Sequence, residues 1–151
     1  MVTYSDTHYV QVPAGWTAID FAEQVLGHAP RWLMHVLDLR DKVVGRMGFA
    51  TQPGTSRNPN IAVGGTAGPF VFSEVNSTVV RGGNSDRRLV FGSTFRVCVE
   101  QRAGRAYGML ETHADSVDRI GAMYLTTIWP AHKLAMPRIL RSSMSDVRLD
   151  V

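Results

Sequence analysis

Residues 89–99 read LVFGSTFRVCV, and this stretch decides the fold. Leu89, Phe91, Phe95, Val97 and Val99 fall on one side of a period-two pattern interrupted by Ser93, while Arg88, Thr94, Arg96 and Cys98 fall on the other. Alternation sustained over that length predicts a long β-strand with one face in the core. Ala103-Gly104 then reads as a two-residue turn into a return strand from Arg105 to about Asp115. Such a turn pairs Arg102 with Arg105, Arg96 with Glu111 and Val97 with Leu110. Gly108, Leu110, Thr112 and Ala114 then face the core. Tyr107, Glu111, His113 and Asp115 face solvent, unless a one-residue bulge reverses the strand and turns this acid–base cluster inward.

Downstream, a helix begins near Ser116 with Asp118 at its positive end. Its expected inward stripe is Ile120, Met123, Tyr124, Thr127, Ala131 and Leu134, with kinks at Pro130 and Pro137. Residues 145–151 read as a disordered tail. Upstream, Phe70–Val75 and Thr78–Arg81 read as a hairpin turning at Asn76-Ser77, and Gly82-Gly83-Asn84-Ser85 reads as the next turn. Residues 50–69 carry four Gly and three Pro and read as a long loop or lid, with Ile61 to Val63 as a short paired piece. Before it come an edge strand at Tyr9–Val12, a helix capped by Thr17 and ended by Gly27, and a second helix entered at Pro30. The order is strand, two helices, loop, antiparallel strands, long helix. A curved antiparallel sheet wrapped around the last helix buries both apolar faces, giving an α+β fold.

Composition fits this frame. A chain of 151 residues, 44% apolar and 19% charged, makes one globular domain spanning 1–151. Its apolar runs are far short of the roughly 20 residues a membrane span needs. The start, MVTYSDTHYV, lacks a basic n-region and an apolar h-region, so a cytoplasmic location is expected. Cys98 is the single cysteine, which excludes an internal disulfide and a multi-cysteine zinc site. The net charge is +3, yet fourteen of the sixteen basic residues are Arg and they are dispersed, so nucleic acid is not the expected partner.

The element order is that of the START-like helix-grip fold, whose members keep a cavity between sheet and helix. The chain also resembles the bacterial domain of unknown function 2867 family. The matching pieces are Pro30-Arg31-Trp32 to Arg40-Asp41, Val79-Val80 with Asp86-Arg87-Arg88-Leu89, Phe95-Arg96-Val97, and Trp129-Pro130-Ala131-His132-Lys133-Leu134 through Leu140. Arg88 and Ala131 stand where the family pattern has His and Phe. The resemblance implies the fold more than a function.

Nucleotide-binding, serine-hydrolase and metalloprotease motifs are missing from the sequence, and no cofactor is expected. Histidines 8, 28, 35, 113 and 132 lie far apart without an i,i+4 pair, so no metal site is expected. Glu74 shares a strand face with Phe70 and Phe72, which makes it the expected inward carboxylate and proton-transfer group. Arg81 would set its charge, and Tyr124 would hold a substrate oxygen. Phe72, Phe91, Ser93, Phe95 and Val97 from one side, and Leu110, Thr112 and Thr127 from the other, should line the cavity. Trp32 and His35 would contribute from the second helix. The expected activity is a cofactor-independent cyclisation, isomerisation or dehydration of a hydrophobic small molecule in specialised metabolism. A non-catalytic carrier of a lipid-like ligand and an interaction module using the outer face (Arg88, Arg96, Tyr107) are the competing readings. A symmetric homodimer covering the sheet edge is expected.

Overall fold

The computed structural model describes residues 2–44, 60–67 and 70–149. Its elements, in chain order, are β1 (Thr3–Val12), α1 (Ala18–Gly27), α2 (Arg31–Val44), β2 (Thr66–Ala67), β3 (Phe70–Val75), β4 (Val80–Ser85), β5 (Leu89–Val99), β6 (Ala106–Ser116) and α3 (Arg119–Ser143). The strands form one curved antiparallel sheet in the order β1-β6-β5-β4-β3-β2. Helix α3 crosses its inner face over β1 and β6, and α1 lies over β5 and β4. This is the helix-grip arrangement expected from the element order. Most of the 50–69 loop lies outside the described residues; within it, Thr66–Ala67 pairs with β3 at the sheet edge, and the stretch expected to pair, Ile61 to Val63, is not a strand.

The long hairpin forms where the alternation predicts it, with one correction. Glu100 N–H donates to the Arg105 carbonyl across a turn held by Gly104 at φ +66°. That turn is two residues longer than expected, so Thr94 lies opposite Glu111 and Arg96 opposite Met109. A slip of two preserves facing. Leu110, Thr112 and Ala114 therefore point inward, and Glu111 and His113 are exposed on the outer face.

Three other boundaries differ for physical reasons. β1 starts six residues early, because its inward positions Tyr4, Asp6 and His8 are polar or amphipathic and conceal the alternation that Val10 and Val12 continue. Gly82-Gly83 sits inside β4 instead of in a turn: a side chain on Gly82 would press on the Phe72 ring, and one on Gly83 would meet the Phe91 carbonyl. The turn is made instead at Asp86, whose Oδ1 accepts from the Arg88 and Leu89 amides. The stripe of α3 is also rotated from expectation. Met123, Thr127, Ala131 and Leu134 are outward, Leu134 at 71% exposure, while Leu125, Trp129, Ile139 and Leu140 are buried. The helix runs on through Pro130 and Pro137 as one element. Of the tail expected at 145–151, residues 145–149 are described, with Val147 N–H donating to Met144 O and the Val147 side chain packed on the core.

Capping fixes the ends. Thr17 and Asp20 form a reciprocal capping box on α1. Asp118 caps α3 through the Gly121 amide and pairs with Arg88, tying the helix to the β4–β5 turn. The Gly121 amide, with Arg88 adding, holds the Asp118 carboxyl below its ordinary value against the opposing effect of desolvation. Packing here is tight: a Cβ on Gly121 would lie 2.2 Å from the Arg88 carbonyl oxygen. Alanine gains about 1 kcal/mol of helix propensity over glycine, but overpacking against backbone costs about 1–3 kcal/mol. Gly121→Ala should therefore lower the urea midpoint; a raised midpoint would show that helix and turn are not in close contact.

Candidate functional site

The inner face carries two apolar clusters and a polar seam between them. One cluster joins Phe72, Val80, Phe95 and Leu110 of the sheet to Phe21 of α1 and Leu140 of α3. The other joins Leu89 and Ala114 to Leu125 and Trp129 of α3, with Tyr4, Phe91 and Tyr124 packed against it. Walking along any element from one cluster to the other crosses a polar residue. On β5 it is Ser93, between Phe95 and Phe91; on β6, Thr112, between Leu110 and Ala114. On β1 it is Asp6 with His8, between Val10 and Tyr4; on α3, His132, between Met136 and Trp129.

These groups meet. Asp6, whose side chain is 7% exposed, places Oδ2 3.1 Å from His132 Nδ1 and 3.2 Å from His8 Nε2. The contact to His132 has hydrogen-bond geometry; that to His8 does not, and His8 Nε2 and Asp6 Oδ1 are buried without a hydrogen-bond partner. His132 is stacked on Trp129 at 4.5 Å between centroids, and Trp129 in turn on Tyr4 at 5.3 Å. The imidazole is thus clamped on one face and held at one nitrogen. Across the sheet, Asp6 lies opposite Thr112 and Thr112 opposite Ser93, so the three form a row. Thr112 sits between two strands on the covered face and is half-buried. Neither the Thr112 nor the Ser93 hydroxyl has a partner among the described residues. No three His, Cys, Asp or Glu of the described residues are placed to hold a metal ion.

The expected site residues divide. Phe91, Ser93, Thr112 and Tyr124 border the seam. Phe72, Phe95 and Leu110 are buried in the larger cluster, with Val97 packed against it, so they are core rather than lining. Thr127 is exposed and its hydroxyl donates to the Met123 carbonyl. Trp32 and His35 are exposed on α2, whose Arg40 Nε donates to Tyr124 Oη at 2.9 Å. Glu74 is not inward. A bulge between Phe72 and Glu74 switches the strand's facing, so Glu74 pairs with Arg81 on the outer face, 3.1 Å away and 42% exposed. Exposed pairs of that kind contribute little and offer no desolvated proton chemistry. Clefts of about 490 Å³ near Gln11 and Arg105 and about 350 Å³ near Trp16 and Gln24 lie away from the seam.

Asp6, His8 and His132 escaped the sequence reading. The signals were there: Tyr4, Asp6, His8, Val10 and Val12 alternate, and 125, 129, 132, 136 and 140 share one helical face. Burial pushes the His132 imidazole below its ordinary value; Asp6 opposes this and His8 adds to it. The unfolded ring binds a proton more readily than the folded one. The stability that His132 contributes is therefore full above about pH 6.5 and lost as the pH falls below it. His132→Gln should flatten the fall of the urea midpoint between about pH 7 and 5; an undiminished fall would assign it to other groups.

Two solved structures are similar to this chain. Norcoclaurine synthase from Thalictrum flavum, in complex with dopamine and hydroxybenzaldehyde, is 15% identical over 99% of this chain and 90% of its own, with a TM-score of 0.46. An Arabidopsis thaliana protein of the major latex protein family is 8% identical over 91% of this chain and 94% of its own, at 0.36. No curated protein matches the sequence significantly. A family model does, along residues 1–139, and the chain belongs to the family described as protein of unknown function DUF2867.

Proposed function

We propose that the chain is a cofactor-independent acid–base enzyme for a hydrophobic small molecule, working at the seam between sheet and α3. The observation that carries this reading is the almost fully buried Asp6 carboxylate holding His132 at Nδ1. A carboxylate there accepts Nδ1–H, fixes the tautomer and leaves the lone pair at Nε2. Nε2 then takes a proton from a substrate C–H or O–H, and Asp6 stabilises the imidazolium that forms. Return of the proton to a different atom isomerises the substrate; delivery to a leaving hydroxyl dehydrates it. Burial, which favours the neutral ring, keeps His132 a competent base near pH 7.

The general-base role thus passes from Glu74 to the Asp6–His132 pair. Tyr124 keeps its proposed role at a substrate oxygen, with Arg40 orienting its hydroxyl. It stands eight residues before His132, about 12 Å along the helix, so it would hold the far end of a substrate rather than the reacting atom. Aromatic surface from Tyr4, Phe91 and Trp129 between the two supports an apolar, planar substrate.

The test uses 2-tetralone, a hydrophobic ketone, in deuterated buffer. The wild-type protein should accelerate exchange of the hydrogens next to its carbonyl, and Asp6→Asn and His132→Gln should each lower that rate by roughly two to four orders of magnitude. Binding of 2-tetralone with no acceleration by the wild type would make the protein a carrier. We also propose a homodimer, since the ten-residue β1 is a sheet edge. Sedimentation at the single-chain mass of 16.7 kDa would contradict it.

A further inference from the structure

We infer that the homodimer forms by antiparallel pairing of β1 with the β1 of a second copy about a two-fold axis at Thr7, in the register that sets Asp6 against the partner's His8. The inference rests on the homodimer reading above and adds the register and what the partner brings to the seam. The edge is bare. β1 is the outermost strand and bonds to β6 alone. Ser116 N–H donates to Val2 O, and pairs that exchange hydrogen bonds alternate along an antiparallel ladder. The even-numbered residues of β1 therefore bond to β6, and the odd-numbered ones turn their N–H and C=O outward. Among the described residues nothing bonds the outward backbone of residues 3, 5, 7, 9 and 11. The strand has no Pro, no Lys and no bulge to guard it, and its outer face of Thr3, Ser5, Thr7, Tyr9 and Gln11 is uncharged. Its one inward carboxylate is Asp6, and an inward charge at an edge rejects any strand that leaves it unpaired.

Asp6 thereby selects the register. Outward backbone must meet outward backbone and inward side chains must meet inward ones, so odd residues pair with odd and even with even. Three registers of that kind keep most of the strand paired. Centring on Asp6 opposes two carboxylates, and centring on His8 opposes two imidazoles and leaves Asp6 against Val10. Centring on Thr7 sets Asp6 against the partner's His8 on both sides of the axis, with Tyr4 against the partner's Val10 and Ser5 against the partner's Tyr9. That register alone gives each carboxylate an imidazole N–H to accept from. The even positions are the non-hydrogen-bonded pairs of the new ladder, where opposed side chains come closest, with Cβ atoms about 5 Å apart. Both groups lack partners within one chain. Asp6 Oδ1 and His8 Nε2 are buried without a hydrogen bond, and the 3.2 Å contact of His8 Nε2 with Asp6 Oδ2 lacks hydrogen-bond geometry. A desolvated donor and acceptor left unmet cost free energy, and the second copy supplies one to the other. Because the same Asp6 carboxylate holds His132, the partner's His8 joins the seam, and both α3 helices lie on one side of a continuous sheet.

Cysteine cross-linking of the full chain in a Cys98→Ser background reads the register. Directly opposed, hydrogen-bonded residues have Cα atoms about 5.5 Å apart, inside the range a disulfide spans. Ser5, Thr7 and Tyr9 are exposed on the outer face, so replacing them leaves the core untouched. After mild oxidation Thr7→Cys should run as a covalent dimer on a non-reducing gel. Ser5→Cys and Tyr9→Cys should each stay single chains alone, and should cross-link to each other when the two are mixed. Thr7→Pro removes an outward N–H that β6 does not use, and should bring the sedimenting species down to the single-chain mass. Cross-linking of Ser5→Cys or Tyr9→Cys alone as readily as Thr7→Cys overturns the register and leaves the edge dimer standing. A wild-type dimer that survives Thr7→Pro and cross-links at none of the three positions overturns the edge pairing itself. A wild type of single-chain mass overturns the homodimer, while the 2-tetralone exchange judges the acid–base reading separately.

Discussion

A buried carboxylate shared between the first strand and the last helix is the constraint on which this structure turns. Asp6 and His132 are 126 residues apart, and their contact exists only when α3 lies across the sheet in one register. A carboxylate in an apolar interior is tolerated when paired and hydrogen-bonded, and is costly otherwise. The helix can slide or rotate within the grip, as far as apolar contact is concerned, with modest loss. It cannot do so without abandoning Asp6. The same pair thereby fixes the orientation of α3, whose outer side carries Met123 and Leu134 that an apolar criterion alone would have turned inward.

This explains what was and was not legible in the sequence. The β5–β6 hairpin was readable because its inward positions are apolar with two small interruptions, and period-two facing survives a slip of two residues. The element order, and with it the grip, followed from that hairpin and the helix after it. The failures cluster at the seam. Asp6 and His8 break the apolar alternation of β1, and His132 and Gly121 occupy the inward side of α3 while methionine and leucine occupy its outward side. Polar side chains stand at the positions where a pattern-based reading looks for apolar ones.

The bulge in β3 is a different kind of loss. Nothing in FVFSEV marks Ser73 as the extra residue, and a single inserted position moves Glu74 from the face of Phe72 to that of Arg81. On the outer face the carboxylate is paired with Arg81; one position out of phase it would have lain among the inward side chains. Residue type and neighbours in sequence were therefore insufficient, and register decided the matter.

Two features then combine in the seam. The row Asp6–Thr112–Ser93 runs perpendicular to the strands and is rigid, since each member stands on a paired strand in the interior of the sheet or at its long edge. His132 is set from the opposite layer, clamped by Trp129, and meets the row at its Asp6 end. At its other end the row continues on β4 at Gly82, over which the Phe72 ring lies. Asp6 belongs to both layers: it stands opposite Thr112 in the sheet and is hydrogen-bonded to His132 of the helix.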